Sequence, residues 1–332
     1  MVSSLAPPKK TVLPAKIPTE WRPRFIWVLP IYALIVLTLI ALPPHHSRQS
    51  YWGATIDKMK QLKSIKGPRI ILIGGSNLAF GIDSVSLEKA FHKPVVNLGL
   101  HAALGLRYML NQVKPHLHPG DLVIVTAEYH LLNGLANGSS ELLDLISVYP
   151  QAASALSLEH SETLLKAVPK LIKTKMEWWS KFGFTTPGVD GVYKRDKFNT
   201  HGDLILTPAD SGRGQHLVVI DFDSSRLDNI NLLKDLSSFS TARGAKVYFA
   251  FTPISLSNYE RPGNKSSLAD IAQTLQNQSG CTVLGRPEDN LYPDSDFFDF
   301  TYHLTPAGKA VRTRFLIRDL KLALQNQDNA GP

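Results

Sequence analysis

Cysteine is almost missing from this chain: Cys281 is the only one in 332 residues. An internal disulfide is therefore excluded, and no Cys/His cluster has the spacing of a structural zinc site. The thiol is followed by Thr282-Val283-Leu284 and reads as a buried apolar residue at the start of a strand. Charge is also sparse. Charged residues make up 19% of the chain, and although the formal net charge is +8, the lysines and arginines are spread out. No basic stripe with stacking aromatics is present, so no nucleic-acid partner is expected. Cofactor loops are lacking as well: the phosphate-loop lysine is missing, and after Gly75 the next glycine is Gly81, which breaks the dinucleotide fingerprint. No internal repeat or low-complexity tract occurs. What remains is a hydrophobic content of 43%, ordinary for a globular protein, in a chain long enough for one large α/β domain or two small ones.

One long uncharged run stands out. Residues 25–42 read FIWVLPIYALIVLTLIAL, close to the roughly 20 apolar residues that span a bilayer core. This predicts a transmembrane anchor, with Trp21 and Trp27 as interfacial aromatics and the lipid bilayer as partner; a buried core helix is the alternative. The run ends in Pro43-Pro44-His45-His46 with no small-x-small cleavage site, which predicts an uncleaved anchor. Arg22 and Arg24 abut the run on one side and only Arg48 lies close on the other, so residues 1–24 are expected to be a disordered cytoplasmic arm. The expected location is the cell membrane, single-pass, with the main domain extracytoplasmic.

After a connector (43–68), short β-branched runs alternate with amphipathic stretches, the pattern of a parallel sheet. Expected strands are 69–73, 94–98, 121–127, 217–220, 246–251 and 281–284. Expected helices are 84–91, 106–114, 227–242 and one opening at Pro306, with Thr305 as its N-cap. Residues 139–216 read as a helical and loop-rich insertion in a domain spanning 69–325. Within it, Lys166, Lys170, Lys173 and Lys175 with Trp178 and Trp179 fit a solvated helix with an aromatic packing face, or a membrane or partner surface. Residues 326–332 are expected to be a disordered tail.

Two strings carry chemistry. Arg69-Ile-Ile-Leu-Ile-Gly74-Gly75-Ser76-Asn77 is a strand running straight into Gly-Gly-Ser. Serine becomes a nucleophile only when its hydroxyl is presented openly, beside a base and near N–H donors for an oxyanion. The carboxyl end of a central parallel strand offers such a place. A plain Gly-Ser turn is the competing reading. The second string is Asp296-Phe-Phe-Asp299-Phe-Thr-Tyr-His303-Leu-Thr-Pro-Ala-Gly308. A histidine ahead of a capped helix, with a carboxylate upstream, can act as general base; a turn histidine with Asp299 capping backbone N–H groups is the alternative.

Together, in the order nucleophile first and base last, these strings resemble the SGNH (GDSL-like) hydrolase superfamily. More narrowly, the anchor, GGSN and FFDxxYHLTPxG are similar to anchored members related to the D-alanine transfer protein of teichoic-acid synthesis and to alginate O-acetylation proteins. The resemblance covers roughly 69–320 and implies a three-layer, flavodoxin-like α/β domain. It also implies Ser76 as nucleophile, His303 as base, Asp299 as its orienting acid, and the N–H groups of Ser76 and Gly99 together with the Asn199 side chain as oxyanion donors, with neither metal nor cofactor. Two departures stand. No GxND string follows the 121–127 strand, which runs into Glu128-Tyr129-His130. Asp299 lies four residues before His303 where the family has three, leaving Tyr302, a backbone carbonyl, Glu128 or Asp203 as other orienters. The implied activity is that of a serine esterase or an O-acyltransferase acting on an acylated cell-envelope glycan or a small ester, with a membrane-embedded acyltransferase as possible partner. A non-catalytic scaffold that assists membrane acyl transfer is the alternative.

Overall fold

Five short apolar runs pair into a single parallel sheet: β1 (Ile70–Gly74), β2 (Val95–Asn97), β3 (Leu122–Thr126), β4 (Lys246–Ala250) and β5 (Thr282–Leu284). Their order across the sheet is β2-β1-β3-β4-β5, with every pairing parallel. The computed structural model describes residues 22–41, 46–183, 191–207, 210 and 217–329. These fall into two compact units, 1–42 and 43–332.

Every residue of β1, β2 and β3 is buried, which is why they read as unbroken apolar runs: a parallel sheet is covered on both faces. Side chains alternate across each strand. Ile70, Leu72, Ile124 and Tyr248 share one core with Leu78, Leu87, Leu316 and Leu320, from the helices Ser76–Gly81, Ser84–Phe91 and Pro306–Asn329. Ile71, Ile73, Val123 and Val125 are equally buried, and the helices Leu106–Asn111 and Ile230–Thr241 contact β1 and β4. Each such aliphatic side chain contributes roughly 1.5–3 kcal/mol by leaving water. The strand order is the flavodoxin-type doubly wound one, whose ligand crevice opens at the carboxyl ends of β1 and β3, where the winding reverses. Gly74 is paired with Thr126 at that end, so the segments after β1 and after β3 emerge side by side.

The sixth expected strand, 217–220, does not form. The segment is irregular, and its backbone is satisfied by side chains instead of a neighbouring strand. Val218 N–H donates to Thr301 Oγ1 (2.6 Å), Ile220 N–H to Asn258 Oδ1 (2.8 Å), and Asn264 Nδ2 donates to Ile220 O (2.7 Å). Val218 and Val219 remain exposed; β-branched composition alone does not make a strand where no edge receives it. The C-terminal helix opens as expected: Gly308 N–H donates to Thr305 Oγ1 and Lys309 N–H to Thr305 O. It continues through Asn329, so most of the expected tail is helical, and 330–332 lie outside the described residues.

In the first unit, a helix runs over Arg22–Ala41 with Pro30 inside it. Residues 25–41 of the apolar run fall on this helix, and residue 42 and most of the expected arm, 1–21, lie outside the described residues. Among the described residues no helix is long and apolar enough to cross a membrane. Within the expected insertion the described residues form the helices Glu141–Val148 and Ser161–Phe182; residues 184–190, 208–209 and 211–216 lie outside the described ones.

Candidate active site

The turn after β1 is built by two glycines that no other residue can replace. A Cβ on Gly74 would overlap the carbonyl oxygen of Thr126; one on Gly75 would overlap the Glu128 carboxylate and lie 2.7 Å from Ala102 N. Ser76 is the first residue of the helix Ser76–Gly81. It is half-buried, and its hydroxyl makes no hydrogen bond to another described residue.

His303 reaches the same place from the far end of the chain. Residues 297–304 fold back on themselves: Phe297 bridges Leu304, Phe298 N–H donates to His303 O (2.7 Å) and His303 N–H to Phe300 O (3.0 Å). This turn carries Asp299 to within 2.7 Å of His303 Nδ1 through its Oδ1. The extra residue between acid and base is thus absorbed by the turn. Tyr193 donates its hydroxyl to the other oxygen, Asp299 Oδ2, at 2.6 Å, and lies 3.3 Å from His303 Nδ1. Because an ionised carboxylate only accepts, Nδ1 carries the hydrogen and Nε2 of neutral His303 keeps a lone pair. The imidazole is fixed from its face as well, stacked on Phe80 at 3.9 Å between centroids and 5° between planes. Phe80 sits one helical turn after Ser76, so one short helix holds both the hydroxyl and the plate under the base.

Ser76, Asp299 and His303 line one cavity of about 520 Å³, whose wall also includes Tyr51, His101, Glu128, His130, Tyr193 and Tyr302. That volume lies in the range of small-molecule sites. No hydrogen bond joins Ser76 to His303; the two side chains share the cavity without touching through a proton. Sites without substrate are commonly looser than their working state. Glu128 accepts the N–H groups of Gly75 (3.2 Å) and Asn77 (3.3 Å), so it anchors the turn on either side of Ser76. Tyr51 is buried beside it, and burial, then Tyr193, Glu128 and Asp299, push its phenol well above the ordinary range.

Beneath the turn lies a buried clamp. Asn77 is fully buried; its Nδ2 donates to Thr126 O (2.9 Å) and its Oδ1 accepts from Thr126 Oγ1 (2.6 Å). Arg312 of the C-terminal helix donates to Asn77 O (2.6 Å), Asn77 Oδ1 (2.8 Å) and Thr126 Oγ1 (3.0 Å). Burial lowers the Arg312 guanidinium to about 10, against the pull of Tyr292 and Glu128, and it stays charged at neutral pH. The sequence signal was an arginine in step with the apolar Leu316 and Leu320 along one helix face.

Two of the expected oxyanion donors, Gly99 and Asn199, make other contacts, while the third, the Ser76 N–H, opens the helix Ser76–Gly81. The Gly99 N–H donates to Asn97 Oδ1 at 2.9 Å and is already committed. Asn199 braces its own turn: its Oδ1 accepts from the N–H groups of His201 (3.0 Å) and Asp203 (2.9 Å), and its Nδ2 donates to Asp203 Oδ2 (3.2 Å). Asn199 lines other pockets, not this one. Asp203 is no partner of His303 either, since it accepts from Ser84 N–H, Ser84 Oγ and Asn97 Nδ2. Tyr193 and His101 were not singled out in the sequence; neither lies in a motif, and only the folding of distant segments brings them to the cavity. Among the described residues no group of three or more His, Cys, Asp or Glu side chains is arranged to hold a metal ion. Compared with known proteins, the chain matches no protein-family model and is significantly similar to no curated protein.

Proposed function

We propose that the protein is a membrane-anchored serine esterase or O-acyltransferase of the SGNH type, acting on ester-linked acyl groups of a cell-envelope glycan. The observation that carries this reading is the cavity shared by an unpartnered Ser76 hydroxyl and an imidazole already held by Asp299. In the first step Ser76 Oγ attacks the ester carbonyl while His303 Nε2 takes its proton. Collapse of the tetrahedral intermediate breaks the bond to the leaving alkoxide, which takes that proton from His303, and an acyl-serine remains. Water or a sugar hydroxyl then attacks the acyl carbon, gives its proton to His303, and leaves as acid or new ester while Ser76 Oγ is reprotonated. Asp299 stabilises the imidazolium in both halves. The size of the cavity and its aromatic and polar wall suit an acyl group together with part of a hydroxylated acceptor.

The anchor rests on composition: an uncharged run falls on the helix Arg22–Ala41, where Trp27, Ile31, Leu34 and Leu37 are exposed. A membrane-embedded acyl donor would give such a tether its purpose. A second reading, a scaffold that binds an acyl-transfer partner without turning over substrate, is favoured by the missing Ser76–His303 hydrogen bond and the committed Gly99 N–H.

The test is release of product from a small activated acetate ester by the purified full-length chain, wild type against Ser76→Ala. Turnover that vanishes with the hydroxyl supports the enzyme. Equal background release from both overturns the esterase reading and leaves the scaffold.

A further inference from the structure

The serine-esterase reading needs donors for an oxyanion, and two of the three expected from the sequence, Gly99 and Asn199, are engaged elsewhere, which leaves the Ser76 N–H. The loop after β2 supplies others. Ala102 N–H makes no hydrogen bond to a described residue, and it faces the nucleophile turn closely enough that a Cβ on Gly75 would lie 2.7 Å away. The preceding residue, His101, lines the cavity with Ser76 and His303. Its Nδ1 accepts the N–H of Ala103 at 3.1 Å, so in the neutral ring the hydrogen resides on Nε2.

We propose that His101, through Nε2–H, together with the N–H of Ala102, stabilises the oxyanion that forms when Ser76 attacks an acyl carbon. The inference rests on the serine-esterase reading and assigns His101 as a further catalytic residue. A neutral imidazole is the better donor here, because it keeps its proton while the oxyanion gains charge and does not compete as an acid. The cavity favours that state: burial is the main influence holding the imidazolium of His101 below its ordinary range, opposed by Glu141 and Glu128 and reinforced by His303 and His130. Trp52 packs against the ring at 5.4 Å between centroids, fixing its plane. The donor is thus set before substrate arrives, the condition under which such groups matter most.

Two substitutions separate the roles of the ring. In His101→Asn the amide oxygen sits where Nδ1 was and keeps the acceptor for Ala103 N–H, but nothing reaches the Nε2 position. In His101→Gln the longer amide places an N–H near Nε2. Steady-state hydrolysis of the activated acetate ester by the full-length chain, with Ser76→Ala alongside, is the measurement, together with inhibition by an arylboronic acid, whose tetrahedral adduct on Ser76 mimics the intermediate. His101→Asn is expected to lose on the order of 10²-fold in kcat with KM changed less than about threefold, and to weaken boronate inhibition in parallel. His101→Gln is expected to recover roughly tenfold or more of that loss. If His101→Asn retains the wild-type kcat while Ser76→Ala is inactive, the His101 role falls and the serine mechanism stands. Equal losses in Asn and Gln, with boronate inhibition unchanged, also overturn it. Wild type no faster than Ser76→Ala removes the underlying reading and the proposal with it.

Discussion

Ser76 and Asn77 are neighbours in the chain and opposites in the fold. Asn77 faces the clamp: it is fully buried, and Glu128, Thr126 and Arg312 satisfy its N–H, its amide and its carbonyl. Ser76 faces the cavity, half-buried, with a hydroxyl that has no hydrogen-bond partner among the described residues. One turn therefore separates a clamp whose polar groups are paired with one another, which gives rigidity, from a cavity wall where the Ser76 hydroxyl and the Ala102 N–H are left open, which gives reactivity. A buried polar network holds its shape because breaking any member strands the others; an unpaired hydroxyl persists only where solvent or a ligand can reach it.

The comparison makes the two regions separable by mutation. Asp299→Asn acts on the cavity side alone: the amide can no longer fix the Nδ1–H tautomer, and kcat for the activated ester is expected to fall by about 10³–10⁴-fold. Its urea midpoint should stay close to wild type, and a large shift would merge the two regions into one. Arg312→Met acts from beneath. Asn77 and Thr126 lose a charged donor that is buried with them, and denaturation should report a loss of roughly 3–5 kcal/mol; an unchanged midpoint would mean that the clamp contributes nothing to the fold.

A third variant probes a buried cation outside both regions. Lys58 donates to Asn97 O at 2.9 Å and to Gly202 O, and burial, opposed by Asp203, lowers it from 10.5 to about 7. Above pH 7 the folded chain has released a proton that the unfolded chain keeps until about 10.5, so unfolding free energy rises with pH in that window and falls as pH drops toward 7. Between pH 8 and 9 the expected slope from this group is about 1 kcal/mol per pH unit, and Lys58→Met should flatten it. Equal slopes in both proteins would contradict the lowered lysine. The smallest effect is expected from Tyr193→Phe, which removes the hydroxyl's hydrogen bond to Asp299 Oδ2. A several-fold fall in kcat is expected, because Asp299 then has one fewer hydrogen bond fixing its place beside His303; an unchanged kcat would make Tyr193 a packing residue.

Much of this architecture was legible in the chain. The apolar runs of β1 and β3 announce a doubly covered parallel sheet, and Thr305-Pro306 announces the start of the last helix. Gly74-Gly75-Ser76 marks the sharp turn, because only glycine tolerates Thr126 and Glu128 at that distance. Other features were hidden for identifiable reasons. Residues 217–220 have strand composition, but Asn258, Asn264 and Thr301, far along the chain, claim their backbone groups. Gly99 has the right place for a donor, yet Asn97 two residues earlier takes its N–H. Tyr193 lies in a stretch without a motif, and nothing in its neighbours marks it as the partner of Asp299.

What the sequence determined by itself was local: which segments are apolar enough to be strands, where helices begin, and which turn must be glycine. These follow from side-chain shape and periodicity over a few residues. Tertiary structure alone decided which polar groups meet. Ser76 and His303 share a cavity, Arg312 reaches Asn77, and Tyr193 reaches Asp299, because the sheet's winding brings distant chain segments to one crevice. Whether a hydrogen-bonding group is open or already paired depends on those long-range neighbours, and no window of sequence contains them.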